Sequence, residues 1–311
     1  MFRPGRPAAR EGSARSDADP GRVSAAGLMA LAAQPPGPAR EAPALAERPG
    51  SVATRRRGQG HEIREIRPYV EGDDARHLDA AASARTGSPQ LRSFHEDRER
   101  SLMLIADFRR PMLWGTRGAL RSVVAARGLA LAGWAALREN GSVGVIVLTE
   151  EGPDHQPPRP RERGMALVSA CLARAHERAL ALAASQGEAV PPRCLGAELM
   201  QITARVPRGA AILLATGLDL PGEGCDAALV GLAQRGLLRL ALVEDAFERA
   251  PPATALPLRE GDRRFYAGFQ GLSSLRAARA AQLQQLLAGH GASIIPMTAG
   301  ATGLGASGAG L

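Results

Sequence analysis

From residue 101 onward the chain alternates short apolar runs with longer segments of helical periodicity. Uninterrupted apolar runs of this length indicate strands that are buried on both faces, as in parallel sheets. Strands that alternate with helices join through right-handed crossovers, so the pattern predicts an α/β fold with a doubly wound, mostly parallel sheet. Strands are predicted at 101–107, 142–149, 210–216, 237–244 and, at the sheet edge, 292–296, and helices at 119–139, 163–184, 197–206, 226–234 and 273–289.

Composition predicts the domain boundaries. Residues 1–26 are rich in Arg, Ala, Gly and Pro without periodicity, which predicts a disordered arm. Residues 27–100 are predicted to form an irregular N-terminal extension that includes a short helix at 28–33. The α/β domain is predicted to span 101–297, and the Gly/Ala/Ser-rich residues 298–311 are predicted to form a flexible tail.

The apolar runs are far shorter than a membrane span, and no apolar core follows the Arg-bearing N-terminus as in a signal peptide. We therefore expect a cytoplasmic protein without membrane insertion. A net charge of +8 and a pI of 10.8 raise the question of nucleic-acid binding. However, Arg alternates with Glu and Asp, as in residues 95–100, and no aromatic-rich strand offers a stacking platform. A nucleic-acid partner is not expected.

A dense block of Gly, Arg and acidic residues occupies 58–85. Arg and carboxylate that alternate over so short a span suit forked ion pairs, and Gly72 permits a backbone conformation that other residues resist. One interpretation is an ion-pair network that fixes the extension; the alternative is a partner- or ligand-binding surface. The block consists of Gly58, Gly60, Glu62, Arg67, Tyr69, Gly72, Asp73, Asp74, Arg76, Asp79, Ala84 and Arg85.

This block, followed by the predicted strand that ends at Asp107, resembles the signature of a bacterial family called domain of unknown function 58. The resemblance covers nearly all of 21–296 and is strongest over 58–112, although Ile63 and Ala80 stand where the family has Phe and Trp. It implies a von Willebrand factor A-like, Rossmann-like domain. It also implies a chaperone-like or complex-assembly adaptor, since such proteins are typically encoded beside MoxR-type AAA+ ATPases.

Asp107 ends the first central strand, where ligands bind in sheets of this kind. The resemblance implies that this Asp begins a metal-ion-dependent adhesion motif, Asp-x-Ser-x-Ser. Here Arg109 and Pro111 replace the two hydroxyl residues, and Gly217 stands where the family commonly has a second Asp, with Asp219 two residues further on. Because Mg²⁺ needs about six oxygen ligands, we expect a degenerate site without a metal or cofactor.

Two interpretations of Asp107 stay open. Either Arg109 or Arg110 pairs with Asp107 and substitutes for the absent cation, or Asp107 only caps the turn and both arginines face solvent. In either case Asp107, Arg109, Arg110 and Asp219 are predicted to form a partner-binding edge. Because neither a nucleophile, a metal set nor a cofactor loop can be named, we expect no enzyme.

The predicted function is a non-catalytic interaction scaffold that acts with a MoxR-type AAA+ ATPase. One alternative is a metal- or phosphate-dependent enzyme that uses the same cleft. The other is a basic nucleic-acid-binding protein.

Overall fold

The computed structural model describes residues 19–34, 63–70, 73–94, 101–186, 190–260 and 262–298. The chain divides into two compact units, the larger built from residues 1–44 and 101–311 and the smaller from residues 45–100. The family-like block of the sequence lies in the smaller unit, and Asp107 lies in the larger one.

The described elements follow one another in a regular order. The strands are β1 (Ile63–Pro68), β2 (Gln90–Phe94), β3 (Ser101–Asp107), β4 (Ser142–Leu148), β5 (Asp154–Pro160), β6 (Ala211–Thr216), β7 (Leu237–Glu244), β8 (Leu256–Glu260), β9 (Arg263–Ala267) and β10 (Ser293–Thr298). The α-helices are α1 (Ala25–Ala30), α2 (Ala80–Thr86), α3 (Arg121–Arg138), α4 (Arg161–Gln186), α5 (Leu195–Thr203), α6 (Cys225–Arg235), α7 (Ala246–Arg249) and α8 (Leu272–Ala288).

The larger unit is built on a six-stranded sheet with the order β10-β7-β6-β3-β4-β5. All neighbouring strands are parallel except β5, which runs antiparallel to β4. This confirms the predicted doubly wound, mostly parallel α/β fold. After β5 the chain crosses to the other side of β3 and forms β6. The direction of winding therefore reverses between the neighbouring strands β3 and β6. Asp107 therefore ends a strand at the topological switch point, where α/β sheets open a crevice for ligands.

Alternation along β3 divides the core into two layers. Met103 and Ile105 pack in the cluster that includes side chains of α5, α6 and α8. Leu104 points to the opposite face, because successive side chains of a strand alternate. There its side chain approaches Gly133 of α3. Helices thus cover both faces of the sheet with apolar side chains, and the ends of the strands are where polar side chains can gather.

Both edges of the sheet carry proline. The Pro-rich segment that follows β4, for which no strand was predicted, forms the edge strand β5 with Pro157, Pro158 and Pro160. A proline has no N–H to donate, so a strand with three of them is tolerated at an edge. The pairing of β4 with β5 is irregular near Gly144, where a Cβ would lie 2.7 Å from Pro158 N. The opposite edge strand, β10, carries Pro296.

Residues 19–34 belong to the larger unit. Val23 and Leu28 are buried, the Val23 N–H donates to His176 Nδ1 (3.4 Å), and Trp134 Nε1 donates to the Leu28 carbonyl (3.1 Å). The predicted disordered arm is therefore wrong for residues 19–26, and the predicted extension does not include 27–34. Two apolar residues, Val23 and Leu28, are too few to show a helical period, so this packing could not be predicted from the sequence. Residues 1–18 and 299–311 lie outside the described residues.

The smaller unit contains an antiparallel pair, β1 and β2, and the helix α2. A second antiparallel hairpin, β8–β9, belongs to the larger unit and was not predicted. It lies between α7 and α8, and its base is held by Phe247 and Phe269, whose ring centroids are 4.8 Å apart. Within the described part of the chain, no helix has both the length and the apolarity to cross a bilayer.

Candidate functional site at the carboxyl edge of the sheet

The Asp107 carboxylate, fully buried at the end of β3, accepts hydrogen bonds at both oxygens. The guanidinium of Arg109 grips it as a fork, with Nε 2.9 Å from Oδ1 and Nη2 2.8 Å from Oδ2. The Arg109 backbone N–H donates to Oδ1 (3.2 Å), and the Thr216 hydroxyl donates to Oδ2 (2.7 Å). A carboxylate offers about four acceptor positions, and these donors occupy them.

Arg109 is itself enclosed by oxygen atoms and has no exposed surface. Its Nη1 donates to the Arg193 carbonyl (2.6 Å) in the loop before α5, and Nη2 donates to the Asp219 carbonyl (3.1 Å) in the loop after β6. One cationic side chain thus joins the turn after β3 to two other loops. Burial alone lowers the pKa of the Arg109 guanidinium, but the charge and hydrogen bond of Asp107 together with the charges of Glu150 and Asp219 outweigh it, and the pKa is raised.

The structure decides between the two interpretations of Asp107. Arg109 is the residue that pairs with it, and the interpretation in which both arginines face solvent is wrong. Arg110 lies apart from the pair: its backbone N–H donates to Glu150 Oε1 (2.9 Å), and its guanidinium donates to the Val190 carbonyl. Pro111 contributes its carbonyl, which accepts from Arg121.

A second buried cation, Arg121, lies at the start of α3 and completes the edge. Its Nη2 is 2.6 Å from Asp219 Oδ2, and its Nη1 is 3.0 Å from Glu248 Oε1. The guanidinium also lies over the Trp114 ring, 4.8 Å from its centroid. Arg276 of α8 adds a 2.8 Å ion pair to Glu248, so this cluster ties the loop after β6 to the helices beyond β7. Burial raises the pKa of the Asp219 carboxyl, an effect that Arg121 opposes only in part.

The loop after β6 has an unusual backbone. Leu218 and Leu220 have positive φ angles of 58° and 46°, a region that non-glycine residues rarely adopt. A Cβ on Gly217 would overlap Asp219 Oδ2 and lie 2.8 Å from Arg121 Nη1. The carboxylate of this loop is supplied by Asp219, where Arg121 binds it. Such strain persists only where surrounding contacts fix the conformation.

The loop before α5 is held by acidic side chains. Glu150, which follows β4, accepts from the backbone N–H groups of Arg110 (2.9 Å) and Arg193 (2.8 Å). The Arg193 side chain lies 2.6 Å from the fully buried Glu198 carboxylate. Burial raises the pKa of the Glu198 carboxyl, against the opposite effect of Arg193 and Arg109. These contacts fix the loop that receives the Arg109 guanidinium.

The predicted signature residues that the structure describes lie in the smaller unit. Arg67 and Asp73 form the expected ion pair, with Nη1 2.8 Å from Oδ2 and Nη2 2.9 Å from Oδ1. Asp74 and Asp79 accept backbone N–H groups, Asp74 at a short 3-10 turn and Asp79 as the N-cap of α2. Tyr69, Arg76 and Arg85 are exposed. Gly58, Gly60, Glu62 and Gly72 lie outside the described residues.

Several residues of the site were not found from sequence. Thr216 was predicted only as the last residue of a strand, and Glu150 could have been found because it follows directly after a predicted strand. Arg121 gave no signal, because it is one charged residue at the start of a helix, and the spacing of Glu248 from Asp245 indicates a helix cap and not a site. Arginine that is fully buried is rare enough that sequence reasoning assigns such residues to the surface.

A divalent cation does not fit this arrangement. Asp107 is engaged by Arg109 and Thr216, and the guanidinium occupies the space beside the carboxylate where a cation would bind. Within the described ranges, no group of three or more His, Cys, Asp or Glu side chains is placed to hold a metal ion. The chemistry of this edge is therefore that of a closed ion-pair network.

Comparison with known families supports the resemblance seen in the sequence. Residues 65–201 match the model of a family described as protein of unknown function DUF58. The matched segment includes part of the signature block, the Asp107 turn and α5 as far as residue 201. No curated protein matches the chain.

Proposed function

We propose that the protein is a non-catalytic interaction scaffold whose binding surface is the carboxyl edge of the six-stranded sheet. The proposal rests on one observation: the Asp107 carboxylate is saturated by Arg109 and Thr216. A carboxylate that is fully engaged by internal donors has no free lone pair for a metal ion, a substrate proton or a nucleophilic water. Its remaining role is to hold loops in place.

The loops that this network holds are themselves exposed at their tips. Val190 and Leu220 display 46% and 45% of their surface, and Met200 of the neighbouring helix α5 displays 53%, although each is apolar. Val190 and Leu220 lie in two loops that arginines anchor: Arg110 and Arg109 bind the Val190 and Asp219 carbonyls, and Arg121 binds the Asp219 carboxylate. Exposed apolar side chains on rigidly held loops favour a protein contact, because less conformational freedom is lost on binding.

The partner proposed for this surface is a MoxR-type AAA+ ATPase, and the activity is assembly or maturation of a client complex. This part of the proposal draws on the likeness to domain of unknown function 58. A cytoplasmic location is part of the same proposal. The competing function, a metal- or phosphate-dependent enzyme in the same cleft, would need open oxygen ligands beside Asp107.

Capture of a purified MoxR-type ATPase by the immobilised full chain tests the partner. Leu220→Glu should reduce capture at least about tenfold, since a charge would be buried in the contact. Leu286→Glu is the matched control. Leu286 is 39% exposed near the end of α8, which leads into the start of β10, so it lies towards the amino ends of the strands. Equal capture by both variants would place the contact elsewhere.

Titration with Mg²⁺ and Mn²⁺ tests the metal-free part separately. We expect the wild-type protein to show no stoichiometric heat of binding and to retain no metal after dialysis. One equivalent of bound metal that is lost on Asp107→Asn would overturn the proposal and favour the enzyme.

A further inference from the structure

Residues 19–34, which we call the strap, lie on α3 and α4 of the larger unit. Two hydrogen bonds from the α3 side reach main-chain carbonyls of the strap. The Leu120 N–H donates to the Pro20 carbonyl (3.0 Å). Trp134 Nε1 donates to the Leu28 carbonyl (3.1 Å), and the Leu28 side chain is buried. A short segment that is held by few contacts can open while the rest of a domain stays folded.

The contact of the strap with α4 is made through His176, which is only 1% exposed. The Val23 N–H of the strap donates to Nδ1 of this ring (3.4 Å), so Nδ1 carries no proton. The hydrogen is then on Nε2, which donates to Ser122 Oγ (2.9 Å). The edge of the ring packs against Phe108, with ring centroids 5.2 Å apart. Both nitrogen atoms are therefore engaged, and they are engaged in the neutral form of the ring.

A second proton on His176 is incompatible with the docked strap. Protonated Nδ1 would face the Val23 N–H, so that two donors would meet without an acceptor between them. The charged groups that act on the ring are Arg22 and Asp19, both of the strap, whereas Ser122 and Phe108 are neutral. Burial, helped by Arg22 and opposed by Asp19, lowers the pKa of His176 from 6.5 to about 4.

We propose that the strap is a detachable element that protonation of His176 releases from α3 and α4. Release admits water to the imidazolium and removes Arg22 from its surroundings, so the released form binds the proton more tightly than the docked form. The ratio of released to docked strap therefore rises as the pH falls, by about a hundredfold between pH 7 and pH 4. The strap and His176 are not part of the carboxyl-edge surface of the scaffold, so this switch stands apart from that function.

Fluorescence of Trp134 in the full chain measures the release, because this side chain is 8% exposed and donates to the strap. The chain has two tryptophans, and Trp114→Phe leaves Trp134 as the single one. From pH 7 to pH 4 we expect its emission to shift to the red and its quenching by acrylamide to increase. Val23→Asp/Leu28→Asp in the same background supplies the emission of the released strap at pH 7, because a charge is not accommodated at either buried position.

Three further variants assign the change to His176. His176→Gln does not titrate, so its emission should stay constant over the same range. Arg22→Gln should move the change to lower pH, because the docked strap then tolerates the imidazolium better. Arg174→Gln is the matched control and should leave the midpoint unchanged. It removes an exposed arginine of α4 that lies two positions from His176 and therefore on another side of the helix.

An equal shift of emission in His176→Gln would overturn the proposal, since other groups would then cause it. So would a wild-type emission that stays at its pH 7 value down to pH 4. Far-UV circular dichroism of the same samples separates release from unfolding, and a loss of helix and sheet signal in step with the emission would also overturn the proposal. If His176→Gln does not fold, Arg22→Gln decides, because it changes an exposed side chain and an unchanged midpoint would contradict the switch.

Discussion

Gly217 lies so close to the carboxylate of Asp219 that a Cβ added to the glycine would overlap Oδ2, which leaves no room for a side chain. The carboxylate is fixed there by Arg121 (2.6 Å), whose guanidinium is fully buried. A residue with no Cβ thus allows a carboxylate two positions later to fold back onto its own loop.

Gly217→Ala should lower the free energy of unfolding by about 1–3 kcal/mol, because the added Cβ must displace the Asp219–Arg121 pair. Gly217→Asp, which introduces the family-like acid, should be worse. Gly289→Ala is the control, since nothing lies within 4 Å of its added Cβ and its φ is −65°. Urea denaturation measures all three. Wild-type stability in Gly217→Ala would show that the loop rearranges freely.

Arg109→Met should lower the free energy of unfolding by about 3–5 kcal/mol, the usual effect of leaving one partner of a buried ion pair uncompensated. Asp107→Asn in the same chain should recover part of the loss, because the uncompensated charge is then removed. A double-mutant cycle from chemical denaturation gives the coupling energy. Additive effects of the two changes would contradict the ion pair, and Arg138→Met serves as an exposed arginine control.

Arg121→Met should destabilise the protein less than Arg109→Met. Asp219 and Glu248 keep Arg276 as a neighbour, at 3.8 Å and 2.8 Å, whereas Asp107 loses its cation when Arg109 is replaced. We expect about 2 kcal/mol, between an exposed and a fully buried pair. The loss of unfolding free energy in the double variant Arg121→Met/Arg276→Gln should exceed the sum of the losses in the two single variants. If Arg121→Met destabilised the protein more than Arg109→Met, the Arg121 cluster would be the more important of the two for stability.

His176 should make stability depend on pH. Burial, helped by the nearby Arg22 charge and opposed by Asp19, lowers the pKa of His176 from 6.5 to about 4. The unfolded chain therefore binds more protons between these values, so stability is full above pH 6.5 and falls on acidification towards pH 4. The loss is on the order of 3 kcal/mol.

His176→Gln isolates this effect, because other carboxyl groups titrate in both proteins. The difference in unfolding free energy between wild type and variant should shrink as the pH falls through the window. The ring contacts Ser122 Oγ (2.9 Å) and the Val23 N–H, so the neutral form is the one that the fold uses. A constant difference across the window would exclude His176 as its source.

The sheet could be predicted because β3, β4 and β6 are continuous apolar runs and β7 is interrupted only by Arg239, and such runs carry their own evidence of burial. Where a segment is buried by contacts with residues far away in sequence, its own hydrophobic pattern is weak. β5 was missed because proline argues against a strand unless its edge position is known. The packing of residues 19–34 depends on His176 and Trp134, which lie far away in sequence.

The candidate site was predicted in part for a similar reason. The position of Asp107 follows from strand order, and the nearness of Arg109 follows from a spacing of two residues. The Arg193 and Asp219 carbonyls that enclose Arg109 are backbone groups, which any residue type supplies. No side-chain pattern can reveal a shell built from main-chain oxygens, so the depth of Arg109 emerged only from the folded chain.

The prolines of β5 and β10 also restrict how the molecule can associate. A lateral neighbour that extends the sheet would need main-chain donors along a flank, and Pro157, Pro158, Pro160 and Pro296 interrupt them on both sides. Growth by strand addition is thereby discouraged. A partner of this sheet therefore finds more unobstructed surface at the ends of its strands than along its two flanks.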